Sequence, residues 1–270
     1  MKLRSHFLSV GVMAVLSVFT SACTSVYGPA RLGMNTHLLQ KPIVIGQEKA
    51  DTSATYAGIE YTRSSYLSEQ SEPVPNDIVN AFTLRAHRSY VKNRVAWSFG
   101  GSFTLGSRTF PSDSTGNTLF APGRFQHSSL SAFGELAVPF VEINRVNFYP
   151  FKAGFFYTYE FGESMGFLEN NIPAGSRIDA FTNRHMPSLV VAHELMILAQ
   201  EGVVIGIDLG QVFTFNANKN YVSPGSSYSN VFYSLRASLS LSADRYTVNF
   251  TGTTGLHSGF TMGLMARIGK

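Results

Sequence analysis

From about residue 52 onward, apolar positions recur at every second residue. Val95, Trp97, Phe99, Gly101, Phe103 and Leu105 alternate with Ala96, Ser98, Gly100, Ser102, Thr104 and Gly106. The split recurs where Val231, Tyr233, Leu235, Ala237, Leu239 and Leu241 interleave with Ser234, Arg236, Ser238 and Ser240. Tyr149, Phe151, Ala153, Phe155, Tyr157, Tyr159 and Phe161 stand likewise against Lys152, Gly154, Thr158 and Glu160. Period two is the mark of a strand whose two faces meet different surroundings. The pattern predicts ten strands, near 52–63, 78–89, 94–106, 129–140, 147–162, 188–199, 203–215, 229–242, 245–254 and 259–268. Each has about the length a tilted strand needs to cross a bilayer.

The connections sort into two kinds. Tight turns at 91–93, 143–145, 200–202 and 243–245 alternate with longer loops near 64–77, 107–128, 163–187 and 216–228, and only the last connection, 255–258, breaks the rule. Pro73, Pro75, Pro111, Pro122, Pro173 and Pro224 fall in those loops, while Pro139, Pro150 and Pro187 fall near strand ends. Proline in mid-strand would remove a ladder hydrogen bond. Leu189 to Leu209 is apolar enough to mimic a membrane helix, but Glu194, Glu201 and Asp208 would each cost about 2.5 to 3.5 kcal/mol at a helix centre in lipid. It reads as a hairpin turning at Glu201-Gly202. Its first arm alternates poorly, because both faces are apolar.

The polar face separates a membrane barrel from a soluble sandwich. A sandwich exposes that face to water and fills it with Lys and Glu. Here it holds Ser, Thr and Gly with isolated charges, Glu60, Arg85, Glu135, Lys152, Glu160, Glu194, Asp208, Arg236 and Arg267, which suit a crowded lumen in which opposite charges pair. The other face suits lipid, and lipid demands closure because an open edge would leave N–H and C=O groups unpaired. The expectation is an all-β, antiparallel up-and-down transmembrane β-barrel of about 10 strands (8 to 12) over 52–270. About ten strands favours a plugged or very narrow lumen over an open pore. From residue 52 onward the chain resembles, as a class, the small outer-membrane β-barrel proteins of Gram-negative bacteria. The resemblance lies in strand periodicity and loop asymmetry. It implies a Gram-negative outer membrane, with the short turns and both barrel termini on the periplasmic side.

Residues 1–22 read as a signal peptide, with Lys2 and Arg4 before an apolar stretch from Phe7 to Phe19 and small residues up to Ala22. Cys23, the single cysteine, follows at once. This resembles a bacterial lipoprotein lipobox, with Thr20 where such boxes usually carry Leu. The resemblance implies acylation of Cys23 and a lipid anchor on the inner leaflet of the outer membrane. Cleavage after Ala22 by a general signal peptidase is the alternative. Residues 23–51 read as an N-terminal tether or arm, with a short helix over 30–40.

Composition agrees with this layout. Charged residues are 14% of the 270 and aromatics 13%, mostly the 22 Phe and 12 Tyr, and mean hydropathy is a neutral +0.04. Two of the 21 basic residues, Lys2 and Arg4, lie in the first 22 positions and none of the 17 acids does, so the formal charge of +4 falls to +2 once that segment is removed. No basic cluster remains, which excludes nucleic acid as a partner.

Candidate chemistry is sparse. Gly162-Glu163-Ser164-Met165-Gly166 matches the G-x-S-x-G pattern, with Asp179 and His185 following in hydrolase order, but that pattern has force only at a strand-to-helix turn within alternating strands and helices. His193-Glu194 lacks a second histidine at Ile197, so no metal is expected. His127, His185 and His257 with Ser128, Ser164 or Ser258 are the residues a barrel hydrolase would draw on. The expected role is non-enzymatic and without cofactor: a structural, surface-binding or narrow small-solute barrel. Outer-membrane lipid surrounds it, and loops 107–128 and 163–187 would meet any surface ligand. The alternatives are a barrel hydrolase or protease, and a lipid-anchored soluble β module.

Overall fold

The computed structural model describes residues 25–42, 52–66, 77–92, 95–110, 123–138, 141–143, 145–171, 178–216, 231–255 and 257–269. Ten long strands carry the expected period: β2 (Thr52–Tyr66), β3 (Ile78–Lys92), β4 (Val95–Phe110), β5 (Gly123–Val138), β7 (Val146–Phe161), β9 (His185–Gln200), β10 (Val203–Phe215), β11 (Val231–Ala243), β12 (Tyr246–Gly255) and β13 (His257–Gly269). Three short strands join them: β1 (Ser25–Tyr27), β6 (Val141–Ile143) and β8 (Ile178–Ala180).

Each long strand pairs antiparallel with its neighbours, and β13 pairs with β2 from His257↔Tyr66 to Gly269↔Thr55. That seam closes a ten-stranded barrel, so the ring of long strands has no open edge. The β2 start, the β13 end and the turns after β3, β9 and β11 share one rim, called here the short-turn rim. The other rim carries the connections after β2, β4, β7 and β10.

The two faces differ as the pattern requires. Phe82, Leu84, Phe99, Leu130, Phe155, Leu209, Leu239 and Phe250 point outward, each at least half exposed. A contiguous apolar belt of this extent is foreign to soluble monomers and matches the hydrocarbon-facing band of membrane barrels. Tyr90 stacks on Trp97 and Phe99 near the short-turn rim. Inward positions are mostly small, polar or charged, with apolar exceptions such as Phe133, Phe156 and Val190.

One strand departs from strict alternation. In the pairing of β7 with β9, Tyr149 faces Glu194 and Lys152 faces Ala192, so Pro150 and Phe151 together oppose His193. Pro150 has no N–H for the ladder, and the strand bulges there. His193 Nδ1 donates to the freed Pro150 carbonyl. The bulge changes the parity: Tyr149, expected outward with Phe151, is buried on the lumen side with Lys152.

Two further expectations are corrected. The loop after β7 holds a helix, α1 (Glu163–Asn171), which packs Met165 and Leu168 on Phe110 while Phe167 stacks on Phe125 with centroids 4.2 Å apart. The short helix expected over 30–40 does not form. Residues 30–34 make a turn, with Leu32 N–H to Pro29 O at 3.1 Å and Met34 N–H to Arg31 O at 2.9 Å, and the chain then runs on without regular structure to residue 42.

Candidate functional site: the filled lumen

Residues 28–42, expected as part of a tether, are all buried inside the barrel. Their contacts descend in order from one rim to the other. At the top, β1 pairs in parallel with β8, Ser25 opposite Ile178. Arg108, near the long-loop end of β4, donates to Gly28 O and chelates Asp77. Glu160, one residue from the end of β7, accepts from Ala30 N–H at 2.9 Å and Arg31 N–H at 3.3 Å. Gly33 is needed for the turn. Its φ is +75°, and a Cβ there would meet Ser234 Oγ at 2.4 Å.

Asn35 comes next. Its amide donates to Met186 O at 3.2 Å and Ser188 Oγ at 2.9 Å, while its carbonyl oxygen accepts from Ser188 at 3.0 Å. Halfway down, His37 Nδ1 donates to Glu60 Oε2 at 2.9 Å and Ser102 Oγ lies 3.1 Å from Nε2. Arg236 donates to His37 O at 3.2 Å. Leu39 packs among Phe133, Phe156, Val190, Ala192 and Val212. That contact gives the inward Val190 and Ala192 of β9 an apolar partner, which explains why both faces of that arm are apolar. Lower still, Gln40 O accepts from Ser89 Oγ at 2.6 Å and from His87 Nε2 at 3.1 Å.

Lys41 reaches the acidic end of the lumen. Its Nζ lies 2.5 Å from Glu194 and 3.1 Å from Glu135. Lys152 touches the same two carboxylates at 3.3 and 3.4 Å and Asp208 at 2.7 Å. Arg236 binds Asp208 at 2.8 Å, and Arg85 pairs with Glu60 at 3.0 Å. Among the described residues the barrel wall and its flanks bury six acids (Glu60, Asp77, Glu135, Glu160, Glu194, Asp208) but four bases (Arg85, Arg108, Lys152, Arg236). Arg31 and Lys41 of the threaded segment bring the bases to six. Unpaired charge is costly when buried from solvent. The segment is therefore a structural part of the lumen, electrically as well as sterically.

Eight of the nine lumen candidates, Glu60, Arg85, Glu135, Lys152, Glu160, Glu194, Asp208 and Arg236, are buried in this network. Arg267 shares their inward register but sits exposed at the short-turn rim, where β13 bulges before Gly269. Sequence reasoning missed Arg31, His37, Lys41, Asp77 and Arg108. Inward strand positions carry five acids and five bases, Arg108 and Arg267 included, so the wall's charge balance did not announce them. Cys23 and the signal segment lie outside the described residues, as does most of the connection between β4 and β5.

Ser164 is buried in the first turn of α1, its hydroxyl without a hydrogen-bond partner among the described residues. His185 is exposed and bonded to Tyr157. His127 and His257 lie in strands and are fully buried, with His127 Nδ1 3.3 Å from Glu160. His193 and Glu194 are consecutive in a strand and point to opposite faces, so they cannot share a metal ion. No group of three or more His, Cys, Asp or Glu side chains gathers as metal ligands among the described residues.

No protein-family model matches the sequence, and no curated protein matches it. Among solved structures the chain is similar to the β domain of the Bordetella autotransporter BrkA, at 9% identity over 81% of this chain and 100% of that one, with a TM-score of 0.47. It is similar to the translocator domain of the autotransporter NalP from Neisseria meningitidis, at 11% identity over 83% and 90% of the two chains, TM-score 0.43. Neisserial surface protein A shares 12% identity over 80% of this chain and 99% of its own, TM-score 0.36. The barrel assignment rests on the strand pairing of this chain itself.

Proposed function

We propose that this protein is an outer-membrane barrel closed to solute, with a structural and surface-presenting role and no catalytic step of its own. Its belt takes outer-membrane lipid, and its presenting end is the rim that carries α1, β8 and the connection after β4. The observation that carries this reading is the occupied lumen: residues 28–42 are buried along the barrel axis and complete the charge pairing of the wall. A solute channel needs that space. On the same reading Cys23 carries the acyl group, so palmitate labelling should vanish in Cys23→Ser.

Reconstitution of the full chain in planar bilayers tests the closed state. The expected record is a flat baseline, and unitary conductance steps from the intact protein would overturn it. The membrane assignment has its own assay. The barrel should resist SDS until boiled and then migrate differently, whereas extraction from membranes by salt or alkali, with no heat-dependent shift, would refute it.

A further inference from the structure

We infer that the segment ahead of β2 crosses the membrane inside the barrel, so that the chain before residue 25 emerges on the outer surface of the cell. The inference rests on the outer-membrane reading for which rim faces out, since long loops face outward and short turns face the periplasm in such barrels. The direction of travel comes from contacts alone.

Four levels mark it. Ser25 pairs with Ile178, in the connection between β7 and β9. Ala30 meets Glu160 at the loop end of β7. His37 meets Glu60 and Ser102, both midway along their strands. Gln40 meets Ser89, three residues from the short-turn end of β3, and Lys41 meets Glu135, likewise three from the end of β5. Residue 52 then begins β2 on the same short-turn rim, opposite Val91. The nine residues from Met34 to Pro42 have a reach of at most about 30 Å at about 3.3 Å per residue, close to the thickness of a bilayer core. An even-stranded barrel places its strand termini together. This chain has those termini on the periplasmic rim and its N-terminal segment on the opposite one.

The consequence for a lipid anchor is the side opposite to the expected one. Whatever is attached upstream of Ser25, polypeptide or acyl group, is held at the outer leaflet or beyond it and not at the inner leaflet. The barrel is then a collar that fixes its own N-terminal end at the surface, with the β1–β8 pair and α1 beside the exit.

Epitope display on intact cells tests this. A short tag is inserted before Ser25, a second at Gly166 of α1, where a side chain would meet nothing within 4 Å, and a third at Gly202 in the β9–β10 turn. The expected result is antibody binding to the first two on intact cells and to the third only after permeabilisation. A tag before Ser25 that binds only after permeabilisation, with Gly166 still displayed, overturns the inference and leaves the membrane reading standing. All three hidden until lysis overturns both. Because a tag is bulky, Ser25→Cys in the chain that keeps Cys23 is labelled in parallel with a membrane-impermeant maleimide, with the unsubstituted chain as the blank. Labelling of intact cells supports the inference, and labelling confined to lysed cells overturns it.

Discussion

Replacing Lys41 with methionine isolates the electrical part of the lumen packing. The ammonium is 2.5 Å from Glu194 and 3.1 Å from Glu135, with its side chain 1% exposed. Removing one partner from a buried pair costs about 3 to 5 kcal/mol. Lys152 stays within 3.4 Å of both carboxylates and keeps part of their compensation. The methionine retains an unbranched stem beside the Tyr149 ring. The loss should therefore fall at the lower end, about 3 kcal/mol, which is roughly 100-fold in the unfolding equilibrium. Urea unfolding in detergent micelles reads it directly, because Trp97 is the single tryptophan and lies on the outer face. The double change Lys41→Met with Glu194→Gln should recover at least half of the loss, since it removes the stranded charge. A single variant within about 0.5 kcal/mol of the parent would refute the placement of Lys41 between those carboxylates, because a surface lysine behaves that way.

Leu39→Ala should cost about 2 to 5 kcal/mol in the same unfolding experiment, through the cavity left among Phe133, Phe156, Val190 and Val212. Gly33→Val combines a left-handed φ with a clash against Ser234, so it should expel the turn and let trypsin cut after Arg31 in a barrel that is otherwise folded; the parent should resist. Phe167→Ala should lower amide-exchange protection in α1 severalfold while leaving the barrel transition in place, since Phe167 stacks on the Phe110 and Phe125 rings of the rim. The guanidinium of Arg184 hydrogen-bonds Glu169 and holds its carboxyl below the usual carboxylate range. Its contribution to docking α1 is thus fully present above that range and is lost as pH falls through the lowered value. Protection in α1 should decline modestly over that acid window in the parent and stay flat in Glu169→Gln, the pair being exposed.

All ten long strands were legible, most of their ends within about three residues, though β5 begins six residues before the expected 129 and β4 ends four after the expected 106. The expected 203–215 is β10, and 147–162 is one residue from β7. Inward polar parity was legible for the same reason, since a strand between lipid and lumen writes both environments into alternate positions. Three things were not. The Pro150 bulge changes parity locally, and period counting carries no signal for it apart from the proline. The helix after Gly162 owes its place to Met165, Phe167 and Leu168 docking on rim aromatics from β4 and β5, a contact made across distant sequence. Residues 28–42 show no period because they are surrounded on every side, with Leu32 on Phe181 and Phe232, Asn35 on β9, and Leu39 on four strands. The clue lay elsewhere, in the apolar inner positions of β9.

Closure of the ring around its own chain also constrains the order of assembly. Thr62 and Thr261 touch across the seam although 199 residues separate them, so the seam cannot form until the last strand exists. A ring that closed first would have to draw the head of the chain through a passage crowded with buried arginines and carboxylates. Laying the head along the growing sheet before the clasp shuts avoids that passage, and lets Arg31 and Lys41 neutralise the wall as it forms. The closed barrel then holds its thread as a bead holds a string knotted at one end, so withdrawing the thread means either opening the seam or breaking every lumen contact in turn.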